Sequence, residues 1–234
     1  MQKSRFGTLF LIAAAILGVC RGAEAAERSW IFPTPREIAQ SGSVFVLNEQ
    51  AVIAIPAFPS EQDLFLAQSL ADDLSDRFGV HLKTERVVKL DPGRRMIVIG
   101  TTANPLVRTY CESHSLSVSL RDPGPEGYIL QTSGNIALVA GSDDRGAFYG
   151  MQSLRQLARR EQDQLRFKGV NVRDWPAKPF RGIKLYAPGR NNIPFFKRFI
   201  RDFMALYKYN TLTSLGGAPD NPPVSGLASV IFIS

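Results

Sequence analysis

A chain of 234 residues, 44% of them hydrophobic and 15 of them Phe, has a globular composition and enough length for one complete core and part of a second. Its formal charge of +7 is scattered along the chain rather than gathered into a basic stripe with interleaved aromatics, which argues against nucleic-acid binding. Of its two cysteines, Cys20 falls in a leader segment, leaving Cys111 alone; no intramolecular disulfide, zinc site, thiol chemistry or cofactor is expected.

The first 25 residues read as a signal peptide. Lys3 and Arg5 form a short basic region, Phe10–Leu17 is apolar, and Ala23-Glu24-Ala25 offers small residues at cleavage-site spacing, so cutting is expected after Ala25. Loss of Lys3, Arg5, Arg21 and Glu24 leaves a charge of +5. The apolar run is too short for the about 20 residues of a membrane span, and no other segment reaches that length. The expected location is secreted or periplasmic, with lipid attachment at Cys20 a minority reading because Val19 stands where a small residue is expected.

Trp30-Ile31-Phe32-Pro33-Thr34-Pro35 has two prolines one residue apart, which force extended chain and remove ladder donors; it is expected along a sheet edge. Val44–Leu47 and Ala51–Ile55 are short and β-branched, hence strands. Ser60 followed by Glu61 and Asp63 starts a helix, Leu64, Ala67, Leu70, Ala71, Leu74 and Phe78 give it one apolar face, and Gly79 stops it. Met96–Gly100 is apolar throughout, which predicts a strand buried on both faces. A short helix is expected from Asn104 to Tyr110. After turn residues Gly124–Gly127, Tyr128–Gln131 and Ile136–Ala140 form a hairpin about Ser133-Gly134-Asn135. Gly141-Ser142-Asp143-Asp144 caps a third helix, with Ala147, Met151, Leu154, Leu157 and Ala158 on its buried face. Phe167–Val172 reads as a closing strand and Asp174-Trp175-Pro176 as a domain boundary.

Beyond that boundary the pattern changes. Phe180–Leu185 is a strand and Phe195–Tyr209 a helix with Phe195, Phe199, Phe203, Leu206 and Tyr207 near one side. Asn210-Thr211-Leu212 begins another strand. Strand, helix, strand is how a parallel α/β barrel opens, and a full barrel needs about 250 residues. Residues 213–234 read as an irregular tail rich in Gly, Pro and Ser, closing on Val230–Ile233, with a frameshift or truncation as one explanation.

Three segments resemble one family. They are Ile31–Pro35; Glu126–Leu130 with Ile136–Leu157, the strongest match; and Asp174-Trp175-Pro176 followed by Phe180-Arg181-Gly182. The chain from Ser29 to Leu212 resembles the start of family-20 glycoside hydrolases, the β-N-acetylhexosaminidases. The resemblance implies an α/β fold: an accessory domain over 29–175, a mixed sheet with helices packed on it, then the start of a catalytic TIM barrel over 179–212. Gly146 and Gly150, four apart, are read as sites where a helix approaches its sheet closely.

The family implies hydrolysis of β-linked N-acetylhexosamine glycans, in which the substrate's own acetamide attacks the anomeric carbon. An aspartate orients it and an adjacent glutamate protonates the leaving oxygen, an exception to the usual two-carboxylate scheme. No adjacent Asp-Glu pair occurs in these 234 residues, so no catalytic residue is assigned and the chain is expected to be inactive alone. The resemblance offers one substrate contact. An R-G-x-x-L-D-x-x-R pattern in the relatives ends on a sugar-binding arginine. Here Tyr186 replaces the acid and Arg190 falls one position late, so Arg190 is either a sugar ligand or a solvated loop arginine. A carbohydrate partner is implied for a complete barrel. Asp143-Asp144 suit capping better than metal binding or acid chemistry. His81 and His114 lack partner motifs, and Trp175 is an interface anchor or a sugar-stacking ring. Gly216-Gly217 lacks the lysine and helix of a phosphate loop. Two alternatives stay open: a non-catalytic domain that binds a partner or glycan, and a fragment of a different barrel glycosidase that uses the same accessory domain.

Overall fold

In a computed structural model, residues 30–186, 188–215 and 229–232 are described. The leader over 1–25 and Gly216-Gly217 lie outside the described residues. Among the described residues, eleven strands and four α-helices follow in chain order: β1 Glu37–Leu47, β2 Val52–Pro56, α1 Glu61–Phe78, β3 Lys83–Val87, β4 Met96–Thr101, α2 Pro105–Ser113, β5 Tyr128–Ser133, β6 Ile136–Gly141, α3 Asp144–Leu157, β7 Ala158–Glu161, β8 Gln164–Asp174, β9 Gly182–Tyr186, α4 Ile193–Phe199, β10 Thr211–Leu215 and β11 Ser229–Phe232.

The first eight strands make one mixed sheet in the order β1-β8-β5-β6-β4-β2-β3, with β7 also paired to β8. The β3, β2, β4 and β6 strands run parallel to one another, while β5, β8 and β1 continue the sheet antiparallel. Alternate residues of the central strands serve two cores. Ile53, Ile97, Val139 and Leu130 face α1 and α3, whereas Val52, Val98 and Leu138 face α2, which supplies Leu106, Val107 and Cys111. Burial on both faces explains why β4 and β6 carry no polar residue in their interiors.

The edges differ. The β3 sequence Lys-Thr-Glu-Arg-Val, the β7 sequence Ala-Arg-Arg-Glu and the first residues of β1 are polar or exposed. Charged edges discourage pairing with other chains, and they also erase the apolar pattern that marks a strand. These are the segments absent from the sequence-based assignment. The Trp30–Arg36 stretch, expected along a sheet edge, forms no strand and leads directly into the edge strand β1; Ile31 is buried in the main core, and Gln156 on α3 clamps Phe32 by bonds to both its N–H (2.7 Å) and its carbonyl (2.8 Å).

The α1 helix is capped reciprocally by Ser60 and Asp63 and closed by Gly79 in the left-handed conformation (φ 68°). Its buried stripe is Asp63, Leu66, Ala67, Leu70, Asp73 and Leu74, so the face is rotated from the expected one, and Leu64 is exposed. Two acids sit on the stripe because each has a partner: Asn104 donates to Asp63 (2.8 Å), and Arg155 of α3 pairs with Asp73. Hydrophobicity alone could not place them. In α3 the N-cap is Asp143, which accepts from the Gly146 N–H at 2.7 Å, and Ala158 has already turned into β7. A Cβ on Gly146 would run into the Gly127 carbonyl, and one on Gly150 into Val139 and Tyr128, so these glycines do set the close approach of helix to sheet.

After β8 a smaller sheet has the order β11-β10-β9, with β9 and β10 parallel and β11 antiparallel to β10. Phe180 and Arg181 precede β9, which begins two residues later than expected. The connecting helix is α4, which continues as a π-helical turn over Ile200–Ala205 rather than as α-helix to Tyr209. Its expected aromatic face is a row of ring contacts, Phe199 stacked on Phe203 (5.2 Å) and Tyr207 tilted against Phe203 (5.1 Å), but it faces outward; Met204 and Ala205 are the buried residues. In the segment read as an irregular tail, β10 continues to Leu215, and Ser229–Phe232 pairs with it.

Candidate functional site

The residues singled out beforehand do not converge. Asp143 is a helix cap, and its second oxygen accepts the Glu126 N–H at 2.9 Å; Asp144 is exposed in the first turn. His81 meets Ser75 at 3.1 Å on the surface, and His114 stacks on Tyr110 at the end of α2. Cys111 is buried against the sheet, and that burial pushes its thiol up to about 11, away from reactivity. Among the described residues no group of three or more His, Cys, Asp or Glu is placed to hold a metal ion. Arg190 opens a 3-10 turn over Arg190–Asn192, exposed, just beyond the C-terminal end of β9.

What the chain does bring together is a polar seam between the large sheet and the β9–β10 segment. Its floor comes from register. Tyr128 opens β5 and Asp174 ends β8, and the two are direct partners across the antiparallel pair. The Tyr128 hydroxyl donates its proton to Asp174 (2.9 Å). Its lone pairs are therefore left to accept from Ser153 (2.7 Å) and from the Lys208 ammonium (2.7 Å), which also reaches Asp174 at 2.9 Å. Lys208 arrives from the other side of the seam, in the turn before β10, held in left-handed backbone (φ 61°), a conformation unusual for a residue with a Cβ. It is only 6% exposed. Burial lowers its pKa, and the Asp174 charge opposes that shift. Burial also raises the Tyr128 phenol well above its usual range, with Asp174 adding to the effect.

A second cluster lies beside the first. Glu126, itself in left-handed backbone (φ 57°), accepts from Arg181 at 2.5 Å and from Arg145 at 3.4 Å. Arg181 also donates to the carbonyls of Lys208 (2.8 Å) and Lys178 (2.9 Å). Asn210 and Arg181 exchange backbone and side-chain bonds, and Asn210 donates to the Pro179 carbonyl at 2.7 Å. Glu126, in the turn before β5, and Asp174, at the end of β8, thus hold the turns that lead into both parallel strands. Removing one partner of such a buried pair strands the other charge.

Between these clusters is a cavity of about 280 Å³, lined by Pro33, Trp175, Pro176 and Phe180 on its walls and by Tyr128, Tyr149 and Lys208 among its polar side chains. Guanidinium groups of Arg36 and Arg173 lie over the Trp175 ring at 5.4 and 5.1 Å, so Trp175 is engaged at the joint. The seam was not legible beforehand because no local motif encodes it. The members of its two clusters lie up to 84 positions apart in sequence, from Glu126 to Asn210.

Comparison with known proteins places this fold. Residues 28–175 match the family described as glycosyl hydrolase family 20, domain 2. The chain belongs to that family. A β-hexosaminidase of Porphyromonas gingivalis is 29% identical over 189 residues, covering 77% of this chain and 21% of the relative. An α-glucuronidase A of Emericella nidulans is 26% identical over 175 residues, covering 74% of this chain and 19% of the relative. The chain therefore spans about a fifth of the length of these curated relatives. Among solved structures, the family-20 β-N-acetylhexosaminidase of Streptomyces coelicolor A3(2) superposes with a TM-score of 0.60 at 20% identity, over 80% of this chain and 36% of that one. A Vibrio harveyi exo-β-N-acetylglucosaminidase, solved with N-acetylglucosamine, gives a TM-score of 0.59 at 18% identity over 87% and 32%. The seam's Glu126, Tyr128, Tyr149 and Asp174 all lie within the matched family-20 domain, whereas Arg181 and Lys208 lie beyond it.

Proposed function

We propose that the chain is the N-terminal part of an exported glycoside hydrolase acting on β-linked N-acetylhexosamine glycans. In this reading the family-20 domain is an accessory unit and β9–α4–β10 opens a TIM barrel. The observation that carries the reading is the seam. Glu126 and Asp174 of the family-20 domain hold the turns at the N-terminal ends of β9 and β10, leaving the C-terminal ends, where α/β barrels place their sites, pointing away. Arg190 beyond β9 is then on the functional side, where its planar guanidinium suits paired sugar hydroxyls. The acid and the acetamide-orienting carboxylate come from outside these 234 residues, which hold no adjacent Asp-Glu pair. The basic and apolar leader supports export, with the mature chain beginning at Ala26; mass spectrometry of protein exported from a bacterial host checks this, and a retained Met1 refutes it.

Assay of the purified 234-residue chain on aryl N-acetyl-β-glucosaminides tests the main reading. General acid catalysis alone contributes about 10²–10⁴-fold, and nothing assigned here supplies it, so no turnover above background is expected. Turnover abolished by replacing a carboxylate of this chain overturns the proposal. The match to an α-glucuronidase favours a second reading, in which the same domain precedes a different barrel glycosidase. Activity of the complete gene product on glucuronides, with none on N-acetyl-β-glucosaminides, would establish it.

A further inference from the structure

Four cations and two carboxylates line the seam cavity, Arg36, Lys178, Arg181 and Lys208 against Glu126 and Asp174. Lys208 pairs with Asp174 and Arg181 with Glu126, so the surplus is Arg36 and Lys178. Both are exposed, and neither side chain pairs with a carboxylate among the described residues. Their main chains are nonetheless fixed to the two buried clusters. The Arg36 N–H donates to Asp174 at 3.1 Å, and the Lys178 carbonyl accepts from Arg181 at 2.9 Å. The Arg36 guanidinium lies over the Trp175 ring, 5.4 Å from its centroid. One surplus cation therefore comes from the family-20 domain, just before β1, and the other from the link between β8 and β9.

The walls select the rest of the ligand. Pro33, Trp175, Pro176 and Phe180 give the cavity apolar sides, and Phe180 is 66% exposed. A bare inorganic anion would leave that surface in water, whereas a wholly apolar guest would engage neither cation. The acids Asp143 and Asp144 line an adjoining hollow together with Arg145, where Asp143 is committed to the α3 cap. At about 280 Å³ the cavity lies at the small end of ligand sites, roughly 300–1,000 Å³, which suits one ring with its substituents. We propose that the seam cavity binds a small organic monoanion, its apolar body against Pro33, Pro176 and Phe180 and its carboxylate-type head paired with Arg36 and Lys178. Such a ligand ties the family-20 domain to the link that leads into β9, whichever glycosidase the domain precedes.

The chain has two tryptophans, and only Trp175 lines the cavity, so its indole N–H resonance reports binding while that of Trp30 serves as an internal control. Titration of the nitrogen-15-labelled 234-residue chain with benzoate and cyclohexanecarboxylate tests the proposal, with benzyl alcohol and inorganic phosphate alongside. A saturating shift of Trp175 alone is expected with at least one carboxylate, at millimolar concentrations because exposed ion pairs are individually weak. Replacing both cations, Arg36→Gln with Lys178→Gln, should weaken binding about tenfold and keep the cooperative melt, since both side chains are exposed. Lys178→Arg, which retains the charge, should bind as the native chain does. Absence of a saturable shift with either carboxylate overturns the proposal, as does a response of Trp30 equal to that of Trp175. Equal binding of benzyl alcohol refutes the cationic half, and equal binding of phosphate refutes the apolar half. Undiminished binding in the double variant, or loss of binding in Lys178→Arg, also overturns it. None of these outcomes bears on the absence or presence of glycosidase activity.

Discussion

The family-20 domain and the β9–β10 segment bury themselves in opposite ways. In the first, central strands are apolar on both faces, and the main core lies between the sheet and the two helices α1 and α3 on one of them. In the second, the aromatic ladder of α4 faces outward, and Met204, Ala205 and Leu212 are the buried apolar side chains among its described residues. One unit is held by area removed from water; the other adds Ala205 to that core and is otherwise tied down by ion pairs and hydrogen bonds. Such a contrast separates what keeps a domain folded from what keeps its neighbour in place.

The comparison breaks most sharply at Leu154, which is fully buried on α3. Leu154→Asp puts an unpaired charge in the core at a cost of several kcal/mol, against a total stability of about 5–15. The whole family-20 domain is expected to lose its cooperative melt; a retained transition would mean that α3 is not the keystone. Next comes Lys208→Ala, which leaves Asp174 buried without its cation at a cost of about 3–5 kcal/mol. Here the damage should be regional. Hydrogen exchange should rise across residues 193–215 while the strands β4 and β6 stay protected, and equal loss in both regions would refute the tether.

Two smaller tests sharpen the first region alone. Cys111 has a folded pKa raised by burial from 9.0 to about 11, so its contribution is complete below pH 9 and lost as pH rises toward 11. Stability should therefore fall more steeply over that window in the native chain than in Cys111→Ala, measured by urea melts at several pH values. Last, Asp143→Ala removes the α3 cap together with the bond to the Glu126 N–H, and about 1 kcal/mol is expected. Arg181 should keep its place in that variant, because Glu126 retains its own carboxylate contacts.

Legibility in the sequence followed the same division. Buried strands such as Met96–Thr101 and the Tyr128/Ile136 hairpin announce themselves by apolar runs and a glycine turn, and the caps at Ser60 and Asp143 by side-chain chemistry. Edge strands do not, since β3 and β7 carry the charges that keep an edge unpaired. Asp63 and Asp73 hid the true face of α1 because their partners, Asn104 and Arg155, lie 41 and 82 residues away. The seam was invisible for that reason too. Trp175 and the Asp174-Trp175-Pro176 boundary pointed to its location, but nothing local ties Lys208 to Tyr128.

The position of the tether has a mechanical consequence. The β9 strand is five residues long, about 16 Å at the usual rise of a strand, with Arg181 clamped at its start and Arg190 beyond its far end. A rotation of about 5° at the clamp would swing that far end by about 1.4 Å over such a lever. Displacements of roughly 1 Å far from the chemistry can cost an enzyme about 10²-fold. Glu126 and Asp174 lie at the start of that lever, so their contacts set the direction in which β9 leaves the family-20 domain.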